Sequence, residues 1–216
     1  CKGARQVIEA GELENVDRVL GIHFMPSIPC GKIACPAGPV MAGCDFFSIM
    51  VQGKGGHIST PQLAADPLFP AAQILSGLNT IAARYFSPLE EILVAVGKFS
   101  GGTQYNIIPA EAVLEGTIRY YDKENRSQAM QAIREIAVNT AAACRTSAKV
   151  AFEEFTPPTI NAPEAAILGQ ETAAGIVGAE NVISEPLKAL AGDDFAFYSE
   201  KVPGLYAKIG SADPNR

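Results

Sequence analysis

The sequence has few cationic side chains, and it gathers none of them into a patch. Its 216 residues include 17 Lys and Arg against 23 Asp and Glu, which gives a net charge of −6 and a pI near 5.0. A nucleic-acid surface needs clustered cations that displace counterions, so this composition argues against a nucleic-acid partner. Small-molecule or peptide chemistry is the expectation that remains.

The sequence also lacks an apolar run of the roughly 18 residues that suggest a membrane span. It opens on Cys1-Lys2-Gly3 with no secretion signal, so we expect a cytoplasmic protein without a membrane partner. It does not begin with Met, which predicts that it is part of a longer protein. With 48% hydrophobic and 19% charged residues, the composition is that of an ordinary globular protein.

No two cysteines have the Cys-x-x-Cys spacing that is typical of zinc sites. The chain has five cysteines, an odd number: Cys1, Cys30, Cys35, Cys44 and Cys144. A zinc knot made from Cys30, Cys35, Cys44 and His23 is one interpretation. Reduced, mostly buried thiols in a cytoplasmic protein are the interpretation that the spacing favours.

The middle of the chain alternates strand and helix patterns. Strands are predicted near 46–51, 92–99, 112–121 and 149–155 from β-branched or alternating residues. One helix is predicted from Asp66-Pro67 through Ile81 and another from about Glu124, with Asp122 as its N-cap. This β-α-β-β-α-β order predicts a ferredoxin-like domain with both helices on one face of an antiparallel sheet.

The flanks of this domain have a different pattern. A short buried strand is predicted over residues 16–24. Irregular chain with one short strand near 32–35 is predicted over residues 25–43, which are rich in Pro and Gly. A helix over 164–177 and a strand over 205–209 follow, and a loop is predicted from Gly210. We therefore predict an α/β domain interrupted by an α+β domain, with boundaries at 1–43, 44–156 and 157–216.

Only two histidines are present, and each has two interpretations. His23 follows a predicted strand, and the strand ends of α/β sheets are where ligands and metals bind. His57 follows Gly55-Gly56, which permits a close backbone approach, so its imidazole can donate a hydrogen bond to a substrate oxygen. A structural histidine bonded to backbone and a solvent-facing turn histidine are the respective alternatives.

Asn106 and Arg119 are further candidates for binding. Arg119 presents a planar fork that matches a carboxylate, or else it lies on a solvated strand face. Asn106 precedes Ile-Ile-Pro, where it either binds a ligand or forms a turn. Asp193 and Asp194 are either a paired carboxylate or the start of a helix, and we favour the cap role for at least one of them.

The order of these motifs along the chain is more specific than any one of them. The series is Gly-Ile-His23-Phe-Met-Pro, Gly38-Pro-Val-Met-Ala, Gly-Lys-Gly-Gly-His57, Asn106-Ile-Ile-Pro, Gly-Thr-Ile-Arg119 and Asp193-Asp-Phe. Together they resemble the amidohydrolase branch of the aminoacylase/carboxypeptidase metallopeptidases, similar to hippurate hydrolase and auxin-conjugate hydrolase.

The resemblance implies a two-metal catalytic domain that is interrupted by a ferredoxin-like lid through which the protein forms a homodimer. By resemblance, His23 is a metal ligand, and His57 reaches the partner subunit's site and polarises the scissile carbonyl. Asn106 and Arg119 would hold the substrate's carboxylate. The implied cofactors are two divalent ions, zinc first, with manganese or cobalt as alternatives.

The sequence also departs from the family pattern. The early metal-binding segment, a Glu-Glu pair and a C-terminal histidine are absent, Asp193 stands where Glu is commoner, and Gln62 stands where His is frequent. A catalytic metal needs about three protein ligands, so we expect this piece to bind no metal tightly. The longer enzyme would hydrolyse N-acyl amino acids, and this piece would be inactive. The alternative is a non-catalytic ligand-binding or dimerisation module.

Overall fold

The computed structural model describes residues 3–213. The α-helices of this part are α1 (Gly3–Glu9), α2 (Leu68–Leu78), α3 (Ile81–Arg84), α4 (Lys123–Ala143), α5 (Pro163–Val177) and α6 (Phe195–Ser199). The strands are β1 (Val19–Pro29), β2 (Ile33–Ala34), β3 (Gly38–Met41), β4 (Gly43–Gln52), β5 (Gly56–His57), β6 (Ile92–Gly101), β7 (Ile107–Ile108), β8 (Glu111–Tyr120), β9 (Ser147–Thr156), β10 (Thr159–Asn161), β11 (Val182–Ile183) and β12 (Gly204–Ala212).

The chain forms two compact units. Cys44–Phe155 makes one, which we call the insert unit. The chain up to Gly43 and from Thr156 onward makes the other, which we call the flanking unit. No helix within residues 3–213 is long and apolar enough to cross a membrane.

The insert unit contains a four-stranded sheet in the order β6-β8-β4-β9. β6 and β8 are antiparallel, with Ile92 opposite Tyr120 and Gly101 opposite Ala112. Helices α2 and α4 pack on each other and on β8. This order, with one helix after the first strand and one after the third, is the ferredoxin-like arrangement, so the predicted fold class is confirmed.

One continuous core fills the space between this sheet and its helices. Strand residues of alternate positions meet helix residues spaced by three or four, as the two periodicities require. The members that are at most 3% exposed include Phe47, Ile49, Val51, Leu114 and Ile118 on the strands and Ile74, Leu78, Ile133 and Ala137 on the helices.

Aspartates precede α2 and α4, the two long helices of the insert unit. The Asp122 carboxylate accepts hydrogen bonds from the backbone N–H groups of Glu124 and Asn125, at 2.8 and 3.0 Å, so the predicted cap is present. The helix predicted from Asp66 through Ile81 is wrong in its extent. It begins at Leu68 and ends at Leu78, and Ile81 starts the separate helix α3, because the chain turns at Asn79-Thr80.

A buried ion pair joins β4, the first strand of the insert unit, to helix α4. Asp45 is fully buried, and the Nε of Arg126 donates to its Oδ2 at 2.6 Å. Burial raises the pKa of the Asp45 carboxyl, and the bond to Arg126 opposes that rise.

The flanking unit contains a second four-stranded sheet, in the order β1-β12-β2-β11, and the small pair β3-β10. β1 lies at an edge and runs parallel to β12. The sequence predicted a strand only to residue 24, but β1 continues to Pro29. Proline has no N–H to donate to a neighbouring strand, and an edge strand tolerates Pro26 and Pro29 because it has a neighbour on one side only. The register of β1 against β12 shifts between Met25 and Pro29.

The prediction that this strand is buried is wrong. Leu20, Ile22 and Phe24 point to one face of β1 and are 64%, 58% and 65% exposed. Between this face and α5 lies an apolar groove of about 330 Å³.

The predicted final loop also begins too early. Gly210 and Ala212 belong to β12, because they pair with Met25 and Pro29 of β1. The rest of that predicted loop, 214–216, lies outside the described residues, as does Cys1.

Candidate functional site

His57 ends β5, and Asn106 lies in the turn directly before β7, the neighbouring strand of a small ribbon in the insert unit. β5 and β7 pair antiparallel, with Gly56 opposite Ile108 and His57 opposite Ile107. The backbone N–H of Ile58 donates to the backbone oxygen of Asn106 at 3.1 Å. The structure therefore brings together two of the residues that the sequence singled out, although they are 49 positions apart.

Glycine is required where the chain enters this ribbon. A Cβ at Gly53 would collide with the backbone oxygen of Ala65, and one at Gly55 would lie 3.1 Å from the backbone oxygen of Ile108. The close backbone approach that the glycines predicted is therefore present, and it fixes the start of the ribbon.

The His57 side chain is exposed and its ring is held locally. Its Nδ1 lies 2.7 Å from the Oγ of Ser59 and accepts the backbone N–H of Ser59 at 3.2 Å. The turn is closed by the backbone N–H of Thr60, which donates to the backbone oxygen of His57 at 3.0 Å. An exposed imidazole on such a fixed turn is suited to donate to a ligand.

A cavity of about 660 Å³ adjoins the ribbon within the insert unit. It is lined by Ile58 and Ile107, by Tyr105 and by the exposed cation Arg145. Mixed apolar and charged walls of this kind suit a small polar ligand with an apolar part.

Arg119 lies at the other end of the insert sheet. It is half-buried on β8 opposite Leu93, close to the end of the strand at Tyr120. The ribbon lies near the opposite end, where the backbone N–H of Gly53 donates to the backbone oxygen of Ala110 at 2.8 Å. Ala112 and Arg119 are seven positions apart, which corresponds to roughly 23 Å along a strand. Within one chain, the structure does not bring Arg119 to His57.

His23 lies in the flanking unit, in the middle of β1 opposite Lys208, and not at a strand end as predicted. Its side chain is exposed, and its Nδ1 lies 2.7 Å from the backbone oxygen of Phe24. A carbonyl oxygen can only accept, so Nδ1 carries the proton and Nε2 holds the lone pair. That is the state in which a histidine binds a metal ion.

The carboxylates of Asp193 and Asp194 accept hydrogen bonds from groups of the flanking unit. Asp193 accepts from the backbone N–H of Phe195 at 2.9 Å and from the Tyr206 hydroxyl at 2.8 Å. The Asp194 carboxylate accepts from the backbone N–H of Ala4 at 3.3 Å. The Asp193 carboxylate therefore holds the first backbone N–H of α6, whereas Asp194 occupies the N-cap position without a side-chain cap bond. Burial is the main cause that raises the pKa of Tyr206, and its hydrogen bond with Asp193 raises the pKa further.

Two buried polar residues near His23 were missed by sequence reasoning. Tyr206 has its ring centroid 6.0 Å from that of His23. Lys208 is fully buried, and its Nζ donates to the backbone oxygens of Val40 and Leu187 at 2.9 and 2.6 Å. Burial lowers the pKa of Lys208 to about 8. A lysine inside the apolar run Leu205–Ile209 was the signal that could have revealed it.

No group of three or more His, Cys, Asp or Glu side chains that could hold a metal ion occurs within residues 3–213. The imagined zinc knot is not formed there: Cys30 is exposed, whereas Cys35 and Cys44 are buried. His23, with its Nε2 lone pair, fits a metal as a single ligand.

Residues 42–143 match the family model of the M20 peptidase dimerisation domain. The chain contains an M20 dimerisation domain. This confirms the resemblance to the aminoacylase/carboxypeptidase metallopeptidases, and the domain covers most of the insert unit, including β5, β7 and β8.

Similarity extends beyond this domain to nearly the whole chain. N-acetyl-L-cysteine deacetylase from Bacillus subtilis is 37% identical over 97% of the chain and 50% of its own length. An IAA-amino acid hydrolase from Arabidopsis thaliana is 32% identical over 99% of the chain and 49% of its own length. The chain thus spans about half the length of the curated relatives it matches.

A solved structure shows the same fold. A dinuclear metal binding peptidase of the M20 family from Bacillus subtilis is 31% identical and has a TM-score of 0.79. The match covers 96% of this chain and 52% of that one. These three relatives are described as a deacetylase, an amino acid hydrolase and a peptidase.

Proposed function

We propose that this chain is part of a metal-dependent amidohydrolase that cleaves the amide bond of N-acyl amino acids. The observation that carries the proposal is the ribbon, which places His57 beside Asn106 inside the M20 dimerisation domain. The names of two relatives, N-acetyl-L-cysteine deacetylase and IAA-amino acid hydrolase, both describe an amino acid joined through an acyl group.

The three candidate residues of the insert unit bind two different groups of the substrate. Arg119 pairs with the substrate's carboxylate through its planar fork. Asn106 donates a hydrogen bond to that anion, and His57 donates to the carbonyl oxygen as negative charge develops on it.

The distance along β8 supports a site shared between two chains. An N-acyl amino acid spans about two residue lengths, roughly 7 Å, whereas about 23 Å of strand separates Arg119 from the ribbon end of the sheet. One substrate therefore meets Arg119 of one chain and the ribbon of a second chain, with His57 acting in trans.

The edge strands of the insert unit indicate how two chains would pair. β9 carries the exposed charges Lys149, Glu153 and Glu154, which protect an edge from pairing. β6 carries one exposed charge, Lys98, and it also exposes Leu93 and Phe99, at 37% and 43%. The dimerisation domain is consistent with a homodimer, and we place its two-fold axis beside β6.

The cofactors proposed are two divalent ions, with zinc preferred to manganese or cobalt. When bound, they supply an activated water and polarise the amide carbonyl. His23 is the ligand that this chain offers, through Nε2. A catalytic metal takes about three protein ligands, so we expect the chain alone to bind no metal tightly and to release no amino acid from N-acyl substrates.

We also propose a cytoplasmic location. The described cysteines 30, 35, 44 and 144 are all free, and reduced thiols are typical of that compartment.

A chimaeric enzyme tests the proposal. Residues 44–155 replace the corresponding segment of Bacillus subtilis N-acetyl-L-cysteine deacetylase, and hydrolysis of N-acyl amino acids is measured. We expect activity, a raised KM in Arg119→Ala because binding common to ground and transition states is lost, and a roughly hundredfold lower kcat in His57→Ala. A folded, dimeric chimaera without activity would favour the non-catalytic module.

Mixing inactive chimaeras tests action in trans. A His57→Ala chimaera is mixed with one whose metal site is disabled. If His57 acts across the dimer, each mixed dimer regains one intact site, and part of the activity returns. Mixed dimers that form without any recovery would place His57 in its own subunit's site.

A further inference from the structure

Two groups of Ser59 converge on one nitrogen of His57. The hydroxyl oxygen of Ser59 lies 2.7 Å from Nδ1, and its backbone nitrogen lies 3.2 Å from the same atom. Both side chains are exposed, so this contact is not imposed by core packing. It is local to a turn, between residues two positions apart.

The direction of the backbone bond identifies which nitrogen of the ring carries the proton in this structure. A backbone N–H can only donate, so Nδ1 must accept with its lone pair. A neutral imidazole has one donor nitrogen and one acceptor nitrogen, and the proton therefore lies on Nε2. The Ser59 hydroxyl, which can donate or accept, then also donates to Nδ1, so the two donors share its one lone pair and the hydroxyl makes the shorter bond.

The turn that holds Ser59 is itself fixed to the neighbouring strand. The backbone N–H of Ile58 donates to the backbone oxygen of Asn106 at 3.1 Å. Thr60 donates to the backbone oxygen of His57 from its own backbone at 3.0 Å and from its Oγ1 at 3.3 Å. Ser59 is thus the residue of this turn that reaches the ring, whereas Thr60 reaches only the backbone of His57.

We propose that Ser59 is a positioning residue that fixes the Nε2–H tautomer of His57. This inference rests on the proposed function, in which His57 donates a hydrogen bond to the substrate's carbonyl oxygen. Only the Nε2–H tautomer presents a donor on the side of the ring away from the turn. Ser59 does not touch the substrate. It determines whether His57 offers that substrate a proton or a lone pair.

The chain carries its own reference for this inference. His23, the other histidine, has its Nδ1 against the backbone oxygen of Phe24 at 2.7 Å, which requires a proton on Nδ1. The two imidazoles of one molecule are therefore expected in opposite tautomers.

The experiment is nitrogen NMR of the unmodified chain with 15N-labelled histidine. An ordinary imidazole is neutral well above pH 6.5, so spectra at pH 9 report the tautomer. His57→Gln assigns the two rings, and N-acetylhistidine amide supplies the free tautomer ratio. We expect His57 to favour Nε2–H beyond the free ratio, and His23 to favour Nδ1–H.

Substitutions separate the hydroxyl from the rest of the turn. Ser59→Ala keeps the backbone N–H and removes the hydroxyl, so the His57 tautomer ratio should move roughly fivefold toward Nδ1–H, which is the net worth of one hydrogen bond. Ser59→Thr should restore the ratio. Thr60→Val is the matched control, since it removes a hydroxyl from the same turn that bonds only to backbone, and it should leave the ratio unchanged.

Two results would overturn the proposal: Nδ1–H on His57 in the unmodified chain, or an unchanged ratio in Ser59→Ala. The unmodified chain decides the first even if a variant fails to fold. Because no substrate or metal enters the measurement, its outcome is independent of whether the chimaeric enzyme is active.

Discussion

The two units of this chain bury their apolar residues in different ways. The insert unit has one continuous core, in which strand residues such as Leu114 and helix residues such as Ile133 are fully buried. The flanking unit has two small clusters that lie on opposite faces of its sheet, one around Leu205 and one around Tyr206. Its longest strand, β1, leaves Leu20 and Phe24 more than half exposed.

Within residues 3–213, the insert unit encloses its core, whereas the flanking unit leaves one face of β1 open. The insert sheet needs cover on one face, and α2 and α4 supply it. The flanking sheet has β1 at an edge, and α5 leaves an open groove beside it. We therefore expect substitutions of the same type to cost much more in the insert unit than on β1.

The largest expected loss follows removal of the cation from the buried pair. Arg126→Met leaves the buried Asp45 carboxylate without its partner, which should lower the free energy of unfolding of the insert unit by about 3–5 kcal/mol. Urea unfolding monitored by peptide-resolved hydrogen exchange measures it. The double variant Asp45→Asn/Arg126→Met, which removes both charges, should recover much of the loss. If it remains as unstable as the single variant, the unpaired charge is not the cause.

This pair also has a pH signature. The folded-state pKa of Asp45 is raised, so the folded protein binds its proton more tightly, and stability falls as pH rises through that pKa. In Arg126→Met the pKa should be higher still, so the fall should extend to higher pH.

Leu114→Ala should be next in size. Leu114 is fully buried in the core of the insert unit, so its truncation leaves a cavity and costs about 2–5 kcal/mol. Hydrogen exchange should accelerate throughout the insert unit. A loss below 1 kcal/mol would mean that this core can collapse around the cavity, and the contrast with β1 would then fail.

Lys208 makes the flanking unit depend on pH in the opposite direction. Burial lowers its folded-state pKa from the ordinary 10.5 to about 8, so the folded state releases its proton first. Stability should rise between about pH 8 and 10.5, by at most about 3 kcal/mol. Urea midpoints read from the NMR methyl signals of Ile33 and Ile209 measure this. Lys208→Met should flatten the rise, and a rise that persists would assign it to another group.

The smallest effect is expected on β1. Leu20→Ala, the same change as in the core, should alter the free energy of unfolding by less than about 0.5 kcal/mol, because Leu20 is 64% exposed. The substitution should instead reduce binding of an apolar fluorescent dye to the groove. A large destabilisation would show that this face is covered in solution.

The sequence predicted the insert unit well, for a physical reason. Its strands and helices have one apolar face each, and that face is buried within the same unit, so residue periodicity and burial agree. The Asp122 cap and the glycines before His57 are local features, and these too are readable from neighbouring residues.

The flanking unit was harder because its features depend on distant partners. β1 was predicted as buried because its side chains are apolar, yet what covers a strand is decided by the rest of the fold. Lys208 is held by Val40 and Leu187, which are far from it in sequence. Predicting the separation of Arg119 from His57 likewise requires knowing that β5 pairs with β7. Strands of two residues are too short to be recognised from sequence.

Under the proposed function, the placement of Arg119 and the ribbon near opposite ends of one strand restricts how this domain can change in length. Each residue inserted into β8 between Ala112 and Arg119 would lengthen the spacing by about 3.4 Å and would also turn Arg119 to the other face of the sheet. Point substitutions on the open face leave both properties intact. Insertions and deletions should therefore be tolerated in the loops around the sheet and be eliminated within β8, so that this strand keeps a constant length while the sequences around it diverge.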